Sequence, residues 1–443
     1  MKRKAPSTNA ALWGPRPSPL RTGVQPVVSE FSPFLSNKDL TRLAMTGKPF
    51  RLLFDPALQG RLALYTKKRT WTPNTLPRGQ QVDWVHRLEL APTVASPRAC
   101  LVAVTNCCSL RVLVIKDGFP HIVDWLGRVL GHCPALTSVR VSGYWQLTDV
   151  SALGQCSSLQ TVNLSNCQQL TDISALGQCA ALHTVDLSNC HRLTDVLALG
   201  QCPWLQTVAL FSCWQLTDVS ALGQCSRLKV VDLSGCTQLT DVSALRQCSK
   251  LQRVNLKYCQ QLMDISGLGQ CSSLQMVDLS DCDQRTDVSA LGLCLGLQVV
   301  DLSGCTQLTD VSALGHCPAL TSVRVSGCTQ LTDVSALGRC SNLQTVNLAN
   351  CEQVTDVSAL GQCSKLHTID LSNCGQLTRL WASGQCANLQ TVDLSNCGQL
   401  TDVSALGQCT KLHTIDLFGC VQLTDVTALG QCSSLQTARL PSD

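Results

Sequence analysis

Leucine returns every 23 residues through most of this chain, at Leu136, Leu159, Leu182, Leu205, Leu228, Leu251, Leu274, Leu297, Leu320, Leu343, Leu366, Leu389, Leu412 and Leu435, with no insertion or deletion between them. A fixed period of this length marks a repeat architecture, in which each unit packs only on its neighbours. Numbered from that leucine, a unit such as LQTVNLSNCQQLTDISALGQCAA (159–181) carries apolar residues at positions 1, 4, 6, 12, 15 and 18 and cysteine at 9 and 21. Positions 4 to 6 alternate as a strand does, and the spacing then loosens over T-D-I-S-A-L, so each unit reads as a short strand, a turn and one turn of helix or 3₁₀ helix. Asp172 is placed to accept backbone N–H groups at the start of that turn, and Gly177 to stop it with a positive φ. Twenty-three residues cannot close a core alone, but stacked units can. The expected fold is an α/β repeat solenoid over residues 85–443, curved and right-handed, with about sixteen parallel strands on its concave side and short turns opposite.

The signature L-x-x-V-x-L-x-x-C resembles the leucine-rich repeat, with Cys where that family usually carries Asn. Cysteine at the strand end is similar to the cysteine-containing repeats of F-box proteins, and the L-T-D-V-S-A-L half looks like the repeats of bacterial internalins. The resemblance implies a leucine-rich repeat horseshoe with a parallel concave sheet and short helical or 3₁₀ convex turns.

Charge divides unevenly: residues 1–100 hold 16 Lys and Arg against 5 Asp and Glu, the rest 18 against 25. The acidic solenoid argues against nucleic acid lying along it. No apolar run is long enough for a membrane span, and the N-terminal stretch lacks the apolar segment of a signal peptide, so the expected location is cytoplasmic or nuclear. The chain holds 29 cysteines, but no C-x-x-C occurs and their spacing of 11 or 12 residues is unlike a zinc site. In line with the apolar positions, they read as buried structural thiols, with no metal and no cofactor expected.

Ahead of the repeats, residues 1–25 read as a disordered basic arm, 26–56 as two or three short amphipathic helices, 57–84 as a linker and 85–135 as irregular entry repeats before the regular units of 136–443. The stretch F-L-S-N-K-D-L-T-R-L-A with Lys48, Phe50 and Arg51 resembles the middle and end of an F-box. That likeness implies docking onto the adaptor of a cullin-RING (SCF-type) ubiquitin ligase through Phe31, Phe34, Leu35, Leu40, Leu43 and Phe50, the solenoid holding a target protein. The alternative is a non-catalytic interaction scaffold whose N-terminal helices only cap the array. In either case the chain is expected to be monomeric apart from its partners.

Within the strands, positions 3, 5 and 7 should face away from the core. Position 5 supplies an acidic column that includes Asp186, Asp232, Asp278 and Asp301, a candidate docking stripe for a basic partner. Departures from the repeat gather in the units that begin at Leu205 to Leu274: Phe211, Trp214, Val230, Arg253, Lys257, Tyr258 and Met276. Aromatic residues beside cations are the usual composition of binding hot spots. Further exceptions are Tyr144 at position 9, Arg285 at position 12, and Arg379, Trp381 and Ser383 in a single unit. The histidines share no site, and no nucleophile, phosphate-loop or H-E-x-x-H motif is present, so catalysis is not expected.

Overall fold

A computed structural model describes residues 51–55, 61–65, 87–90, 110–115, 122–284, 287–381 and 386–441, with backbone alone for the first three segments and for 122–125. Its centre is one 18-stranded sheet. The strands join in chain order, β1 (Arg51–Asp55), β2 (Arg61–Tyr65), β3 (Arg87–Leu90), β4 (Val112–Ile115), β5 (Ser138–Val141), β6 (Thr161–Asn163) and onward to β18 (Thr437–Arg439). β1 and β2 are antiparallel, and each later pair is parallel. In the regular units the register is the sequence period itself: Val162 lies opposite Val185, and Val185 opposite Val208. Between β4 and β5 the offset is 26 instead, Val112 facing Ser138, and a full helix α1 (Ile122–Leu130) fills the added length.

The apolar spacing explains the rest of the unit. Positions 4 and 6 are two apart, as a strand requires; positions 6, 9 and 12, and then 15, 18, 21 and the next 1, are three apart, the period of a 3₁₀ turn. The hydrogen bonds follow that spacing, with Cys167 N donating to Leu164 O, Leu170 N to Cys167 O, Leu176 N to Ile173 O and Cys179 N to Leu176 O. Residues 174–178 form a 3₁₀ helix, and its counterpart recurs in the other fully described units. Each core position therefore forms a column of like side chains down the stack. Leu159, Val162, Leu164, Leu170 and Leu176 are wholly buried, as are their counterparts in the next unit.

Two expectations about turn chemistry resolve differently. The position-14 aspartate acts as foreseen: Asp172 Oδ1 accepts the N–H of Ser174, the first residue of the 3₁₀ turn, at 2.7 Å. The glycine does not. Positive φ falls instead at position 8, on Asn166 (64°), Asn189 (61°), Tyr258 (60°) and Gly235 (73°), where the chain leaves the strand and must aim the following cysteine inward. Gly177 has another task, because a Cβ there would come within 3.2 Å of Ala198 O in the next unit. Position 19 is glycine in most units, where stacked turns approach closely, although Arg246 occupies it in one.

The N-terminal region also departs from expectation. Arg51–Asp55, assigned above to the end of a helical module, is a strand, and Arg61–Tyr65, assigned to a linker, is its antiparallel partner. A short apolar run cannot be told as helix or strand from its spacing. RLLFD and RLALY, separated in sequence by Pro56 and Gly60, carry the composition of a hairpin. Residues 1–50, with Phe31, Phe34, Leu35, Leu40, Leu43 and Phe50, lie outside the described residues, as do Arg285 and Ser383. Trp381 and its neighbour Leu380 are buried.

Candidate interaction surface

Odd-numbered strand positions project from the open face of the sheet. In the position-5 column the aspartates are not a free acidic stripe. Asp186 Oδ1 accepts the N–H of Ser188 at 3.1 Å, and Asp232 accepts both the N–H and the hydroxyl of Ser234. Asp278 does the same with Ser280, and Asp301 accepts Ser303 N–H at 3.0 Å. This is an Asx turn closing the strand, and asparagine performs it equally: Asn163 accepts Ser165 N–H and Asn255 accepts Lys257 N–H. The column is also partly neutralised sideways. Asn163 Nδ2 donates to Asp186 Oδ2 at 2.6 Å. Arg324 and Arg439, two position-5 residues the sequence reading passed over, stand 3.7 Å from Asp301 and Asp416.

Like charges remain adjacent where Asp278 faces Asp301 in register. Burial first, and then Asp278, hold the Asp301 carboxyl above its ordinary range, against the opposing pull of Ser303 and Arg324. Asp278 is 5% exposed.

The departures from the repeat divide into four places. Val230, Arg253 and Met276 share position 3 on adjacent strands β9 (Val230–Asp232), β10 (Arg253–Asn255) and β11 (Met276–Asp278), in register. The row continues to Val299 on β12 (Val299–Asp301), which holds the same unit position and was missed. Lys257 and Tyr258 sit at the strand end, Lys257 Nζ 3.2 Å from Asp281 and 4.7 Å from the Tyr258 ring centroid. Phe211 is two units away at position 7. Trp214, at position 10, lies beyond the strand on the edge, stacked on His191 with centroids 3.8 Å apart and planes 6° apart. A second edge stack, also unforeseen, sets Arg227 3.8 Å above the Trp204 ring, with His183 at 6.2 Å.

The thiols are free and buried in all 26 described cysteines. Among the described residues no group of three or more His, Cys, Asp or Glu could hold a metal ion, and no helix is long and apolar enough to cross a membrane. A recess of about 240 Å³ between the first regular units is lined by Thr148, Asp149, Ser151, Asp172 and Ser174. Asp149 and Asp172 are there engaged with the backbone of Ser151 and Ser174.

A family profile described as "Leucine Rich repeats (2 copies)" matches residues 157–201, 341–383 and 387–436. An internalin of Listeria monocytogenes superposes with a TM-score of 0.57 at 22% identity, covering 78% of this chain and 89% of its own. A leucine-rich repeat protein of Leptospira interrogans gives 0.57 at 17% identity, with 75% and 91% covered. No curated protein matches the sequence. Fold and repeat together define a leucine-rich repeat protein, a solenoid with short 3₁₀ turns.

Proposed function

We propose that this chain is a non-catalytic scaffold that binds a partner protein on the open face of its sheet. The observation that carries this reading is the face itself. A continuous ledge of parallel strands presents side chains at fixed spacing, and its departures from the repeat gather on consecutive strands. Twenty-six buried free thiols suit a reducing compartment, in support of a cytoplasmic or nuclear location.

The test is crosslinking of the purified full chain with the protein it captures, using photoreactive side chains placed singly at Arg253 on the sheet face and at Leu293, an exposed residue of the 3₁₀ turn. Crosslinks from position 253 and none from 293 are expected. The opposite pattern overturns the reading.

A narrower reading makes the scaffold the target-recognition subunit of an SCF-type ubiquitin ligase. Its support is the F-box resemblance over residues 26–56, whose last part, Arg51–Asp55, is strand β1. Co-purification with the ligase adaptor, abolished by Leu35→Asp and Leu40→Asp while the solenoid stays folded, is the expected result. Absence of co-purification by the unaltered chain leaves the plain scaffold.

A further inference from the structure

We propose that the exposed cations around the start of β9 and β10 take a short acidic segment of the partner protein, one carrying two or three Asp or Glu within four residues. This inference rests on the scaffold reading in taking the partner to be a protein, and it names the chemistry of one of the contacts.

From position 19 of each regular unit to position 3 of the next, along the edge where the strands begin, no Asp or Glu occurs in any unit. Eight Lys and Arg occupy that edge, and five of them fall in two consecutive junctions: Arg227 and Lys229, then Arg246, Lys250 and Arg253. All five are exposed. They are also close together. Lys229 O accepts the N–H of Arg253 at 3.0 Å, and Arg227 and Lys250 both hold position 23 on neighbouring units, whose strands run about 4.8 Å apart. The Arg227 guanidinium is already placed, 3.8 Å above the ring of the exposed Trp204.

Several cations elsewhere have an acceptor on an adjoining unit. Lys257 reaches Asp281 and Arg324 reaches Asp301; at position 23 itself, Lys365 Nζ donates to Asn342 Oδ1 at 2.6 Å and Lys411 Nζ to Asn388 Oδ1 at 2.7 Å. The residue ahead of Lys250 in that column is Arg227, a like charge, and among the described residues none of the five cations pairs with a carboxylate. Like charges held this close repel, and an anion laid between them removes the repulsion. Size selects the anion. Lys250 to Arg253 is three residues, about 10 Å, and the unit of Arg227 to that of Arg253 is two strand spacings, also about 10 Å. Carboxylates at i and i+2 of an extended segment, about 6.6 Å apart, fit within that area. A nucleic acid carries its charge on past such a patch, toward the position-5 aspartates of the open face. Residues 1–100 hold 16 Lys and Arg against 5 Asp and Glu, so the chain's own N-terminal part has the wrong sign to be the occupant. Arg253 belongs to the edge and to the open face alike, so an acidic segment here continues directly from a partner seated on that face.

The repeat itself supplies variants that fold. Ser158 and Ser273 hold position 23 in other units, so Arg227→Ser with Lys250→Ser installs a residue the repeat already uses. Gln206 and Thr207 do the same for Lys229→Gln with Arg253→Thr. The control, Lys365→Ser with Lys411→Ser, removes equal charge from the position-23 column in distant units. Random dodecapeptides displayed on phage are selected on the immobilised full chain, and the enriched peptides and poly(U) RNA are measured by fluorescence anisotropy on each variant. Peptides with two or more Asp or Glu within four residues are expected. Their affinity should fall at least tenfold in each of the first two pairs, stay unchanged in the control, and weaken with added salt. Enriched peptides lacking that acidic pair, affinities equal across all variants, a matching loss in the control, or failure to enrich any peptide would overturn the inference. So would poly(U) binding more tightly than the peptides and losing affinity in the same two pairs. The scaffold reading is decided separately by the crosslinking at Arg253 and Leu293.

Discussion

The Sγ of Cys190 lies 3.4 Å from the carbonyl oxygen of Leu164 in the preceding unit and donates its S–H there. Cys202 makes the matching bond to Leu176 at 3.4 Å, and the pair recurs along the stack, as at Cys213 to Leu187 and Cys225 to Leu199. The same leucine carbonyls already accept an N–H three residues on, from Cys167 and Cys179. A thiol is small enough for the turn, apolar enough for the core and still able to occupy the carbonyl's second lone pair.

Replacing Cys190 by Ala should therefore lose a weak bond and leave a small void, costing about 1–2 kcal/mol. Urea unfolding followed by far-UV circular dichroism measures it. A midpoint equal to that of the unaltered chain would show that neither the S–H bond nor the space the thiol fills contributes to stability.

Alkaline pH should unfold the protein early. Burial pushes the Cys156 thiol up to about 11 and the Cys179 thiol up to about 12, the latter with help from Cys156 and Cys202. An unfolded thiol ionises near its ordinary value of 9.0, while the folded one stays neutral. The stabilisation is thus complete below pH 9 and is lost as pH climbs toward 11–12, at about 1.4 kcal/mol per pH unit for each participating thiol. Thermal midpoints recorded from pH 7 to 10.5 should fall steeply above 9, and a flat profile would contradict buried neutral thiols.

Gly267 takes the place of the alanine found at position 17 in neighbouring units, and a Cβ there would lie 2.7 Å from Ser243 Cα. Gly267→Ala, a change toward the repeat consensus, should nonetheless destabilise by about 1–3 kcal/mol through overpacking. The informative contrast is Ala290→Gly one unit on, which should lose only a methyl group and the backbone restraint, about 1 kcal/mol. Equal effects in the two variants would mean that the turns shift freely.

The stack of Trp214 on His191 covers the imidazole, and burial lowers its pKa. Trp214→Ala should uncover the ring and raise that pKa toward the ordinary histidine value, which NMR titration of the His191 side chain reads directly. An unmoved titration would place the cause elsewhere.

The regular units were legible because one 23-residue rule sets strand, turn and core together: Val162, Cys167 and Leu176 each fall where the spacing puts them. Two features escaped because spacing along the chain does not express them, one set by the neighbouring unit and one by the local bend of the backbone. Gly177 reads as a turn residue in isolation, and only the approach of Ala198 reveals its purpose. The aspartates read as exposed charge, while their bonds to Ser188 or Ser280 become apparent only when the backbone bends back toward the side chain. β1 and β2 escaped because a five-residue apolar run has no distinctive period. Val299 was readable, since its unit position equals that of Val230.

The constant offset of 23 has an evolutionary consequence. Val277 faces Val300, and Val300 faces Val323; excising residues 297–319 would set Val277 against Val323 in an unchanged ladder. Cys328, which now donates to Leu302, would find Leu279 in the same place, and Arg324 would fall beside Asp278 instead of Asp301. Unequal recombination between copies could thus lengthen or shorten this molecule in whole steps without repairing any seam. Copy number is then a trait open to selection separately from the side chains displayed, and each gain or loss of a unit brings new neighbours together on the binding face.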